Sequence, residues 1–149
     1  MVKNVAEQLV DTLEKAGVKR IYAVTGDSLN EVNEAVRKSG KIKWIHVRHE
    51  ETGAFAAAAE AQLNGELACC AGSSGPGHVH LINGLYDAQR SGAPVLAIAS
   101  TLPTHEFGTE YFQETNTIKL FEDCSYYNQV ATTPEQFPRM LQGAIQAAL

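Results

Sequence analysis

A doubly wound parallel α/β sheet with helices on both faces is the fold class this sequence predicts, and three observations predict it. Amphipathic helical segments alternate with short apolar runs along the chain. Two of those runs, LACCAG at 67–72 and PVLAIAS at 94–100, lack polar alternation, as strands covered on both faces do. The chain has 149 residues, 44% hydrophobic and 19% charged. That is the length of one domain and the composition of a folded core, not of a disordered chain.

The elements follow in order. Residues 4–16 read as a helix in which Asn4 caps the first turn and Glu7, three residues on, completes a capping box. Val5, Leu9, Val10 and Leu13 form its apolar stripe, and Gly17 ends it. RIYAV at 20–24 is the first strand, followed by a turn at Thr25-Gly26-Asp27. Ser28 is expected to cap a second helix, with Glu31 at the third position of the box and Gly40 at its close. IKWIHV at 42–47 is the second strand. Residues 50–63 form a helix with six alanines between positions 54 and 61, small enough to pack very close to its neighbours. LACCAG is the third strand, followed by the Gly-rich loop SSGPGH and a helix over about 78–90. PVLAIAS is the fourth, another buried strand. A polar loop of about sixteen residues at 101–116 is long enough to suggest function. A short helix near 117–122, a strand near 126–131 and a last helix begun by Thr133-Pro134-Glu135-Gln136 complete the chain.

Charge and cysteine usage narrow the function. Lys plus Arg number 12 against 17 Asp plus Glu, a net charge of −5. With no basic run, nucleic acid and anionic membrane surfaces are not expected partners. No apolar stretch reaches the roughly 18 residues of a membrane span, and the first residues are too interrupted by charge for a signal peptide. The three cysteines, Cys69, Cys70 and Cys124, imply no disulfide framework or zinc spacing. They read as buried small hydrophobes in a reducing cytoplasm.

Ligands in such sheets bind at the carboxyl ends of the strands, which directs attention to the loops at 25–28, 48–51, 72–78 and 100–113. Gly72-Ser73-Ser74-Gly75-Pro76-Gly77 fails three tests. It lacks the third Gly of a dinucleotide fingerprint, the closing Gly of a nucleophile elbow, and the Lys of a phosphate loop. It reads either as a tight strand-to-helix turn or as backbone that approaches a flat ligand closely. Arg48-His49-Glu50-Glu51 lies at a strand-to-helix junction, where the helix dipole favours acids. The elements around it are apolar, so a carboxyl group there would also be drawn from water with a proton to share. His46, His49, His78, His80 and His105 show no convincing metal spacing, and no metal ligands are expected in this chain. Phe112-Gln113-Glu114, at the end of the long loop, either shapes a pocket or anchors the loop.

Together, VTGDSLN (24–30), RHEE with its alanine-rich helix (48–61), AGSSGPGHVHLINGLYDA (71–88), PVLAIAS (94–100) and GTEYFQETN (108–116) resemble the pyrimidine-binding domain of thiamin-diphosphate enzymes. The resemblance covers nearly the whole chain. GDSLN and HLINGLYDA lean toward the bacterial pyruvate oxidase and quinone-reducing pyruvate dehydrogenase type, with the acetohydroxyacid synthase large subunit a near neighbour.

The resemblance implies roles residue by residue. Glu50, directly after the His, matches the glutamate that contacts N1′ of the aminopyrimidine ring. By sharing a proton there it favours the imino form whose nitrogen removes the C2 proton of the thiazolium. Thr25 and Gly26 match positions beside the pyrimidine; Pro76, Gly77 and His80 match the loop lining the same ring. Phe112 and Gln113 match the pair at the substrate end, where Gln113 would hydrogen-bond the adduct and Phe112 would limit the size of the 2-keto acid.

The resemblance further implies pyruvate or a similar 2-keto acid as substrate. It implies FAD and Mg2+ bound elsewhere in the parent enzyme, and a pyrophosphate-binding domain of another subunit as partner. A homodimer through contact between pyrimidine-binding domains is expected, in the cytoplasm, with the parent enzyme peripheral at the membrane. Residues 1–149 are expected to be one such domain. The resemblance implies that the FAD-associated middle domain and the Gly-Asp-Gly-bearing pyrophosphate domain lie outside it; Gly26-Asp27 is followed by Ser28 and is not that motif. The chain alone is expected to be inactive. A separate α subunit of a 2-keto acid decarboxylase or acetohydroxyacid synthase-like enzyme, and a non-catalytic assembly module, are the competing readings.

Overall fold

The computed structural model describes residues 3–149. Its first helix, α1 (Val5–Lys15), has the expected capping box: Asn4 Oδ1 accepts from the Glu7 amide at 2.8 Å, and Glu7 Oε2 accepts from the Asn4 amide at 3.1 Å. Next come β1 (Arg20–Ala23), α2 (Asn30–Ser39), β2 (Lys43–His46), α3 (Glu50–Asn64) and β3 (Ala68–Gly72). Then α4 (Pro76–Val79), α5 (Ile82–Arg90), β4 (Val95–Ala99), α6 (Thr117–Phe121) and α7 (Phe137–Ala148) follow. The strands pair in the order β2-β1-β3-β4, all parallel.

Side-chain alternation on the central strands divides the core in two. Ile21, Ala23, Cys69 and Ala71 pack against α1, α2 and α7, while Ala68 and Cys70 pack against α3, α5 and Phe121. This is the doubly wound arrangement, with helices on both faces. From β1 the chain steps to β2 on one side and then to β3 on the other. The switch point of the sheet therefore lies between the carboxyl ends of β1 and β3, where such folds open a crevice.

Adjacent residues in a strand face opposite ways, so Cys69 and Cys70 sit in different cores and cannot pair with each other. Burial drives the Cys70 thiol up to about 12 and raises the Cys69 and Cys124 thiols as well. All three are expected to stay unmodified by a thiol reagent in the native protein and to react together only on unfolding, which a mass-resolved labelling time course checks.

The alanine-rich α3 packs as closely as its composition predicts. A Cβ on Gly84 of α5 would stand 2.4 Å from Ala54 Cβ and 2.6 Å from the Phe55 amide nitrogen. The two helices meet nearly backbone to backbone.

Five expectations need correction. Ser28 does not cap α2. It lies in a 3-10 turn, Asp27–Leu29, and its Oγ accepts from the Ser74 amide at 2.9 Å and lies 2.8 Å from Ser73 Oγ. Its hydrogen-bonding capacity is spent tying the β1 loop to the β3 loop. The helix expected over 78–90 begins earlier and is interrupted around His80-Leu81, where the Leu81 amide bonds back only three residues, to His78 O. Strand β4 is not fully covered: it is the edge of the sheet, and only Leu96 is fully buried.

Residues 126–131 form no strand. All six residues line a cavity of about 740 Å³ that β4 also lines, and they pair with no strand among the described residues. Finally, α7 starts at Phe137 with Pro138 in its first turn. Thr133–Gln136 is a separate turn in which Gln136 Oε1 accepts from the Thr132 amide.

Candidate functional site

Three loops converge at the carboxyl edge of the sheet. The segment after β1 carries Thr25 and Gly26, the loop after β3 runs from Ser73 to Gly77, and Glu50 opens α3 just after β2. A Cβ on Gly26 would collide with Ser73 Cβ and Oγ at 2.5 Å, so the first two loops touch. Gly75 is left-handed, at φ +66, and a Cβ there would stand 2.7 Å from Gln113 Cβ. Only glycine meets both demands. The long loop is thereby brought onto the Gly-rich turn, where Ser74 Oγ, buried, donates to Gln113 Oε1 at 3.1 Å. Gln113 itself is held at φ 67, a strained conformation for a residue with a side chain.

Glu50 is the chemically conspicuous group. It is 8% exposed although it sits in the first turn of its helix. Its Oε2 lies 3.1 Å from His80 Nδ1. A Cβ added to Gly77 would lie 3.3 Å from its Oε1, and Oε1 takes part in no hydrogen bond among the described residues. The His80 ring stacks on His49, centroids 4.2 Å apart and planes 22° from parallel. His49 in turn caps α3, its Nδ1 accepting from the Glu51 amide at 3.3 Å.

One ligand atom from each of His49, Glu50 and His80 lies within 4.8 Å of the others, a grouping the sequence reading missed. His49 and His80 come from different loops, and only the fold stacks them. Nearly parallel stacked rings direct their in-plane lone pairs side by side, not toward a common point. The arrangement therefore suits proton handling and poorly suits a metal ion, whose ligands must converge.

The sequence-expected residues are placed as follows. Thr25 is exposed and Gly26 half-buried beside the Gly-rich loop; Pro76 is exposed and Gly77 buried against Glu50; His80 contacts Glu50 directly. Gln113 is brought to the Gly-rich turn, but Phe112 projects into solvent, 77% exposed. His78 and His80, two residues apart, serve different ends. His78 is 1% exposed, with Nδ1 2.9 Å from Ser100 O and Nε2 2.5 Å from Thr115 Oγ1. A carbonyl only accepts, so Nδ1 donates to Ser100 O, and in the neutral ring Nε2 accepts from the Thr115 hydroxyl. His78 thus ties both ends of the 101–116 loop to the Gly-rich turn.

Burial lowers the His78 pKa. The folded protein therefore binds this proton less readily than the unfolded chain does. The stabilisation is fully present above the unfolded value of about 6.5 and is lost as pH falls below it. Denaturant titrations between pH 7.5 and 5 are expected to show that loss, with a shallower dependence in His78→Gln.

The fit to an aminopyrimidine can be tested on this geometry. Such a ring presents a flat face and a hydrogen-bonding edge. The site offers backbone without a side chain at Gly77 and, beside it, one oxygen of the largely buried Glu50 with no hydrogen-bond partner among the described residues. The residues fit.

Residues 3–120 match the family described as thiamine pyrophosphate enzyme, N-terminal TPP binding domain. The chain belongs to that family. It is 58% identical over 146 residues to an uncharacterised 42.6 kDa protein of Pseudomonas amyloderamosa, covering 98% of this chain and 37% of that one. It is 40% identical over 141 residues to the pyruvate oxidase of Lactiplantibacillus plantarum (94% of this chain, 23% of the relative) and 34% identical over 139 residues to acetolactate synthase 3 of Brassica napus (93% and 21%). The chain thus spans little more than a third, or less, of the length of these curated relatives.

Proposed function

We propose that this chain holds the aminopyrimidine end of thiamin diphosphate in an enzyme that oxidatively decarboxylates a 2-keto acid, pyruvate by preference. The observation that carries the reading is the buried Glu50 carboxyl group, with one oxygen unused, at the carboxyl edge beside a glycine-walled turn. When bound, thiamin diphosphate supplies a nucleophilic carbon and an electron sink for the carbon skeleton of the keto acid.

The chain's own residues do the rest. Glu50 Oε1 exchanges a proton with the ring edge. A ring seated there displaces water from Oε1, which strengthens the hydrogen bond. Gly77 lets the ring approach the backbone beside Oε1, and Gln113, its Oε1 held by Ser74, is assigned its amide nitrogen as donor to the substrate end. Phe112, on the same loop, is the residue we assign to limiting substrate size.

The higher identity to pyruvate oxidase than to acetolactate synthase supports the oxidase type, and with it FAD and Mg2+ as cofactors held by parts outside this chain. The outward face of α3 carries exposed Phe55, Ala59 and Leu63, the last 89% exposed. One turn of helix separates each from the next, so they form an apolar stripe suited to a symmetric contact with a second copy. Sedimentation is expected to show a concentration-dependent dimer that Leu63→Lys weakens; a monomer at all concentrations would remove that part.

Calorimetric titration with thiamin diphosphate and Mg2+, FAD present, tests the whole reading. Tight binding is expected when the pyrophosphate-binding portion is added and not for the chain alone. Tight binding by the chain alone, or no binding in either case, would refute it.

A further inference from the structure

We propose that His80 is a positioning residue: by donating from Nδ1 to one oxygen of Glu50, it leaves Oε1 as the single carboxyl oxygen presented to a ligand. The inference rests on the proposed role of Glu50 but assigns His80 a different task from lining the cofactor ring.

The geometry carries it in three steps. First, Glu50 has two chemically equal oxygens and rotatable side-chain bonds, so burial alone does not decide which oxygen faces the turn. The 3.1 Å contact from His80 Nδ1 to Oε2 breaks that equivalence. Oε1 is left toward Gly77, where only a hydrogen atom stands in place of a side chain. Second, His80 is itself held. It stands at the interruption between α4 and α5, and its ring lies against His49 at 4.2 Å. His49 is fixed in its turn by capping the helix that Glu50 begins. The three residues form a closed loop of contacts, and moving any one of them moves the carboxyl group.

Third, the tie does not depend on the charge of His80. A carboxylate only accepts, so Nδ1 must carry the hydrogen, as it does both in the imidazolium and in the Nδ1–H neutral ring. The same carboxyl group therefore stays oriented while Oε1 gives and takes its proton. Proton transfer needs the reacting atoms aligned, and a displacement of about 1 Å costs on the order of a hundredfold in rate.

The test has a readout that needs no cofactor. Nitrogen-15 shifts of the His80 ring in this chain at pH 8 are expected to report the Nδ1–H tautomer, and Glu50→Gln is expected to shift the population away from it. An Nε2–H ring in the wild-type chain overturns the proposal outright, without touching the assignment of Glu50.

The second arm uses the chain assembled with its pyrophosphate-binding portion. His80→Leu is expected to lower kcat on pyruvate by roughly ten- to a hundredfold with a smaller change in the concentration of thiamin diphosphate needed. His80→Asn, whose amide nitrogen donates from nearly the same position, is expected to recover most of that loss. Equal losses in both variants would mean that His80 acts by packing or by direct contact, and would overturn the proposal. Should Glu50→Gln leave turnover intact, the reading of Glu50 itself fails, which is a separate result.

Discussion

Glu50→Gln is expected to lower turnover of pyruvate by the assembled enzyme on the order of 10²- to 10⁴-fold, the range that a positioned proton donor contributes. The substitution keeps the shape of the side chain and a polar group at both positions. It removes only the capacity to take up and release a proton at Oε1. Folding should be preserved, since Glu50 forms no ion pair other than its contact with His80 among the described residues. Cofactor affinity should change far less than kcat, because an amide still hydrogen-bonds a ring edge. Steady-state kinetics at saturating and limiting thiamin diphosphate separate the two. Turnover within about threefold of wild type would remove Glu50 from proton transfer.

Gly84→Ala is expected to be among the most damaging single-methyl additions. Its Cβ would meet Ala54 Cβ at 2.4 Å and, more seriously, the Phe55 amide nitrogen at 2.6 Å. A flexible side chain could give way, but here the obstacle is the backbone of α3. Since α3 also presents Glu50, helix and carboxyl group would shift together. The expected cost is about 1–3 kcal/mol of stability, typical of overpacked cores. Thermal unfolding should show a lower Tm, and the paired change Gly84→Ala with Ala54→Gly should recover part of it. An unchanged Tm would mean that the two helices are less tightly seated than this geometry requires.

Much of the fold is legible in the residues because local and long-range preferences agree there. Asn4 and Glu7 cap α1 as their spacing predicts, Gly40 ends α2 in a left-handed turn, and the unbroken apolar run at 67–72 becomes the fully buried β3. Agreement fails where tertiary partners outbid local ones. Ser28 has the makings of a cap, yet bonding to Ser73 and Ser74 occupies it. Residues 126–131 carry β-favouring Tyr and Val, but pairing needs a neighbour, and they line a cavity shared with β4.

The site divides in the same way. Glu50 is picked out by its place between an apolar strand and an apolar helix, and Gly75 and Gly77 by their density in one turn. The stack of His80 on His49, and the use of His78 to pin the long loop, depend on elements brought together only by folding. No spacing along the chain encodes them.

The most direct measurement of the central claim is an amide chemical-shift titration of this chain with thiamin, which carries the aminopyrimidine without the diphosphate. Weak-binding perturbations confined to the loops bearing Thr25, Gly26, Glu50, Gly77 and Gln113 are the expected result. Shifts centred on the cavity between β4 and α7, or no shift in these loops at saturating thiamin, would contradict the assignment of the carboxyl edge as the pyrimidine site.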